Sequence, residues 1–81
     1  MSEQLQIFDS LVLYSKAGAS SRDRFDAINA EAALTIVSNR AAKVSELLGF
    51  GGVETIKLYN GLEEFVYIQQ DGNWQRQQNK Q

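Results

Sequence analysis

The side chains that could do chemistry in this chain are carboxylates, guanidiniums, amines, hydroxyls and phenols, because it has no histidine and no cysteine. Without histidine it lacks the commonest general base near neutral pH and the commonest transition-metal ligand. Without cysteine there is no thiolate nucleophile, no disulfide and no sulfur-bound metal site. Three kinds of site are left: a carboxylate pair for acid–base work, a carboxylate set around a hard cation, or a glycine loop around a phosphate.

Spacing argues against each. Glu63 and Glu64 are neighbours in an extended run, so they point to opposite faces. Glu54 and Glu63 share a face but lie far apart along it. Asp9, Asp23 and Asp26 do not match the pattern of a calcium loop. The glycines of G-F-G-G (49–52) follow a helical pattern and precede a strand pattern, whereas a phosphate cradle runs strand, glycines, helix. A helix stop at Gly49, with Phe50 packed back on the last turn, is the better reading. The residues therefore predict a non-enzymatic chain, with no catalytic residue, cofactor or metal.

The elements that would position any site follow from periodicity. Leu5, Phe8, Leu11 and Val12 fit one helical face and predict a short helix over residues 3–15, with a strand over Leu11 to Tyr14 as the competing reading. Lys16 to Ser21 breaks the pattern, with Gly18 suited to a helix end and Ser20 or Ser21 to the next N-cap. Arg22 to Leu48 contains no proline or glycine and predicts one long helix of about 40 Å. Its apolar stripe runs from Ala30 to Leu48; Phe25 and Ile28 lie off it and are expected under the first helix. Arg40 projects into the stripe, which suits either a side chain paired with a carboxylate or an interface anchor.

Asn60-Gly61 is a two-residue hairpin signal. It pairs Tyr59 with Leu62, Lys57 with Glu64, Ile56 with Phe65 and Val53 with Ile68. One face then carries Ile56, Leu58, Phe65 and Tyr67, and the other Val53, Tyr59, Leu62, Val66 and Ile68. Asp71-Gly72 signals a second turn, returning Asn73 to about Arg76 as a third strand, with Trp74 opposite Gln69 and Arg76 opposite Tyr67. Arg76 is expected over the Tyr67 ring. The architecture expected is α+β: a short N-terminal helix and one long helix on a two- to three-stranded antiparallel meander. Residues 1–74 form one domain, and 75–81 form a polar, unstructured tail.

R-F-D-A-I-N (24–29), followed by T-I-V-S-N-R-A-A (35–42), resembles a helix of the phycobiliproteins, and I-F-D-S-L (7–11) is faintly similar to their N-terminal helix. The likeness covers about a third of the chain. It implies a helical surface that docks on a partner, but no cysteine is present to attach a bilin, and the hairpin has no counterpart in that all-helical fold.

At 81 residues, with 43% hydrophobic and 22% charged residues, the chain is a single globular domain near the smallest size that sustains a core. Its net charge of −2 offers no general pull toward nucleic acid or anionic lipid. No apolar run reaches the ~18 residues needed to span a bilayer, and no signal peptide opens the chain, so a cytoplasmic protein is expected. Two apolar faces on one hairpin exceed what so small a monomer can cover. That surplus implies a protein–protein interaction module, binding a protein partner or itself through Tyr59, Leu62, Val66 and Ile68, with Arg40 as a further anchor. The hairpin edge could also add a strand to a partner's sheet. The alternative is a small nucleic-acid-binding regulator with a winged-helix outline.

Overall fold

A computed structural model describes residues 4–77 of the chain. Among these residues five strands form one antiparallel sheet in the order β2-β1-β3-β4-β5, and a single helix lies across one of its faces. The strands are β1 (Gln6–Tyr14), β2 (Ser20–Ala27), β3 (Val53–Asn60), β4 (Glu63–Gln70) and β5 (Asn73–Gln77); α1 is Ala30–Leu48. Because β2 and β3 each run antiparallel to β1, they are parallel to one another, and α1 crosses over between them.

This architecture overturns the expected helix–helix–meander. The first segment is a strand because its residues alternate. Phe8, Ser10, Val12 and Tyr14 are buried under α1, while Ile7, Asp9, Leu11 and Leu13 occupy the other face. Both faces carry apolar side chains, so helical and extended periods fit the same letters. Pairing with β2 and β3 decides the outcome, and residues 3–15 are not helical in the part described.

The long helix is shorter than expected for the same reason. Arg22 to Ala27 belong to β2, whose charged residues suit a sheet edge that must resist further pairing. Phe25 stacks on Phe8 across the strand pair, with ring centroids 6.3 Å apart. The helix starts at Asn29, not Ser20 or Ser21: the Asn29 side chain accepts the Ala32 N–H at 2.8 Å from an extended backbone. R-F-D-A-I-N is thus strand and cap, and the part of it likened to a phycobiliprotein helix is not helical.

Gly49 closes α1 in the left-handed conformation (φ 68), and the Phe50 N–H donates to the Ser45 carbonyl at 2.9 Å, as a Schellman stop requires. Phe50 packs on Tyr14 of β1, ring centroids 4.9 Å apart. The 49–52 loop is stitched down by Ser15 and Lys16 N–H groups donating to Gly52 and Phe50 carbonyls, and by Gly52 N–H donating to Ser45 Oγ.

The β3–β4 register is shifted from that expected. Leu58 faces Phe65, Ile56 faces Tyr67 and Tyr59 faces Glu64, so the loop is Gly61-Leu62. Gly61 takes φ 63 while Leu62 does not take a positive φ, the requirement of a turn with glycine in its first central position. The Asn60-Gly61 register would set Leu58 against Glu63 and Tyr67 against Glu54 on the buried face. The observed one sets apolar groups against each other there. The shift preserves parity, so Ile56, Leu58, Phe65 and Tyr67 stay on one face and Tyr59, Val66 and Ile68 on the other. Val53, expected with the second set, instead pairs with Tyr14 beyond a register irregularity and packs on the covered core, and Leu62 falls in the turn.

At the second turn Asp71 (φ 54) and Gly72 (φ 81) are both left-handed, and Trp74 faces Gln69 and Arg76 faces Tyr67. Arg76 lies over Phe65 instead of Tyr67, 4.8 Å from the ring centroid. β5 continues through Gln75, Arg76 and Gln77, residues expected in the tail; 78–81 lie outside the described residues.

Candidate functional site

Strand alternation assigns every sheet residue to one of two faces. The covered face carries Phe8, Val12, Ile56, Leu58 and Tyr67, with Ala33, Val37 and Ala41 of α1 packed on it. These helix residues recur every four positions and are small or β-branched, which lets α1 lie close along β1 and β3. No element covers the opposite face among the described residues.

On that open face three rows cross the sheet. Arg24, Asp9, Tyr59 and Glu64 form the first, Arg22, Leu11, Lys57, Val66 and Gln77 the second, and Ser20, Leu13, Thr55, Ile68 and Gln75 the third. Leu11, Leu13, Tyr59, Val66 and Ile68 are half-buried, shielded by their own neighbours in the sheet, and Ile7 at the end of β1 is 60% exposed. Five strands at about 4.8 Å spacing and eight residues at about 3.3 Å give a footprint of roughly 600 Å². That approaches the ~800 Å² that each partner contributes to a standard interface.

The charges on this face are unevenly compensated. Arg24 Nε binds the Asp9 carboxylate at 2.8 Å, and this hydrogen bond holds Asp9 below the ordinary carboxylate value. Burial, then the neighbouring Glu64 carboxylate, pushes the Tyr59 phenol above its ordinary value. Arg22 and Lys57, flanking Leu11 in the middle row, have no ion-pair partner within 4 Å among the described residues.

Of the residues expected at a contact surface, the structure brings together Tyr59, Val66 and Ile68. Leu62 stands apart at the tip of the β3–β4 turn, fully exposed. Arg40 lies on the other side of the sheet: it bridges α1 to Asp23 of β2 and sits over the Phe25 ring, 5.7 Å from its centroid. It therefore takes the carboxylate-paired arrangement and is no part of the open face. The hairpin edge is also taken, since β3 pairs with β1 and β4 with β5. Leu11, Leu13 and Lys57 complete the surface. The leucines were hidden by the helical reading of β1, and a strict alternation count over Ile7-Asp9-Leu11-Leu13 would have found them.

Among the described residues no three carboxylates converge on a common point. Among the same residues no helix is long and apolar enough to cross a membrane. The chain matches no protein-family model, no curated protein and no solved structure with which it was compared.

Proposed function

We propose that this chain is a non-enzymatic interaction module that buries the open sheet face, centred on Leu11, Lys57 and Val66, against a protein partner. The observation that carries this is the uncovered face itself. It is a face approaching interface size, with Leu11, Leu13, Tyr59, Val66 and Ile68 set among polar and charged groups, on a sheet whose other side is already packed.

The uncompensated charges state what the partner must offer. Lys57 and Arg22 call for a carboxylate seated over the middle row, beside apolar groups that meet Leu11 and Val66. A second copy of this chain satisfies that less well. A two-fold axis along the central strand β3 would set Leu11 and Leu13 over the other copy's Val66 and Ile68, but would bring Lys57 onto its own image. A winged-helix-like nucleic-acid binder has less support, since among the described residues one helix lies on a five-stranded sheet and no helix-turn-helix is formed.

The test is photocrosslinking from benzoylphenylalanine placed at Val66, with Asn39 on the exposed side of α1 as control, in the cells that make the protein. A discrete adduct from Val66, absent from Asn39 and lost on Lys57→Glu, supports the reading; equal adducts from both positions refute it.

A further inference from the structure

A cleft of about 350 Å³ opens between α1 and the β1–β2 pair, on the side of the sheet away from the proposed interface. It exists because the side chains under that flank of α1 are short: Ser10 and Ser21 on the strands and Ala41 on the helix. Val12, Tyr14, Val37 and Val44 supply its apolar walls. Such a volume and lining suit a small ligand.

Ser10 marks the site. It is 4% exposed, and its Oγ has no hydrogen-bond partner among the described residues. A buried hydroxyl without a partner is costly and uncommon. Its neighbour Ser21 shows the usual solution, with Ser21 Oγ 2.8 Å from the Tyr14 hydroxyl. Ser10 lines the cleft with its hydroxyl oxygen covered, and in the sheet it pairs with Asp23, the residue that binds Arg40. The Ser10 donor and the Arg40 guanidinium thus stand at the same level of the cleft, and Lys43 lies three residues further along α1. Two cations against the one carboxylate of Asp23 leave an excess positive charge at the cleft wall.

We infer that this cleft binds a small apolar carboxylate. Its carboxylate accepts from the N–H groups of Arg40 not used by Asp23 and, with the Ser10 side chain turned toward the cleft, from Ser10 Oγ–H, with Lys43 adding attraction. Its hydrocarbon part lies between Val12, Tyr14, Ala41 and Val44. At ~30 Å³ per water-sized volume, the space holds roughly ten to twelve non-hydrogen atoms, about the size of octanoate.

The experiment is a titration of the full chain with octanoate, and separately with octanol, followed by two-dimensional NMR. Saturable shifts at Val12, Val37, Ala41 and Val44, with octanoate at least tenfold tighter than octanol, are expected. Ser10→Ala should weaken octanoate about tenfold, the worth of one hydrogen bond to a charged group. Asp23→Asn should tighten it by removing the opposing charge, and Ala41→Leu, checked for folding by its own spectrum, should abolish binding by filling the cleft. Equal affinity for octanol, unchanged affinity in Ser10→Ala, no saturable shift, or shifts confined to Leu11, Leu13, Val66 and Ile68 would each overturn the assignment.

Discussion

Lys57 on β3 stands directly opposite Val66 on β4, in the middle of the sheet face that α1 leaves open. A lone ammonium among leucine, valine and isoleucine keeps an apolar face in solution and repels a like face brought over it. Replacing it should therefore alter association more than folding. Lys57 is half-buried on the open face and outside the packed core, so Lys57→Leu is expected to unfold within about 1 kcal/mol of the parent. Sedimentation should show it self-associating at concentrations where the parent is monomeric; identical oligomeric states would remove the proposed role of Lys57.

The β3–β4 loop gives a sharp test of register. Gly61 holds φ 63, a conformation in which a Cβ is strained, so Gly61→Ala should lower stability by about 1 kcal/mol or more in denaturant unfolding. Leu62 at the exposed tip should accept serine with a change within about 0.5 kcal/mol. A large loss at Leu62 would instead favour the register in which it begins the returning strand.

The start of α1 can be checked in the same way. Asn29→Ala removes the acceptor for the Ala32 N–H and should cost about 1 kcal/mol, with a matching loss of amide-exchange protection in the first helical turn. Ser20→Ala, at a position where the sequence pattern favours a cap, should leave helix protection unchanged, because Ser20 lies in β2.

Titration should show opposite signs at the two ends of the pH scale. Burial raises the phenols of Tyr59 and Tyr67 above their ordinary value of about 10, with Glu64 reinforcing Tyr59 and Arg76 opposing at Tyr67. The folded state thus favours the neutral phenol. This contribution is fully present below the ordinary phenol value and is lost as pH rises through the folded values. Tyrosinate absorbance should accordingly ionise late, and Tyr67→Phe should lessen the alkaline loss of stability. Asp9 runs the other way: held low by Arg24, its contribution is present above 3.8 and lost as pH falls through its folded value. Because the pair is exposed, that contribution is small, and carbon-detected NMR of Asp9 is the measurement that resolves it.

Much of the C-terminal half was legible in the sequence because its signals are local. Asp71-Gly72 sets its own turn, Gly49 its own helix stop, and the parity of Ile56, Leu58, Phe65 and Tyr67 survives a register error. The N-terminal half was not, because its structure is decided at long range. Ile7 to Tyr14 fits two periods until β2 and β3 pair with it. The polar run Ser20 to Ala27 is extended because it completes the edge of β1, against the helical preference of the letters around it. The site suffered the same division: Tyr59, Val66 and Ile68 were readable from the hairpin, whereas Leu11 and Leu13 required the sheet.

The proposal that the open face is an interface is tested most directly by benzoylphenylalanine at Val66, with Asn39 as the control position. One discrete protein adduct is expected from Val66, disappearing on Lys57→Glu and not forming from Asn39. An adduct that survives Lys57→Glu, or a Val66 pattern no different from that of Asn39, would contradict it.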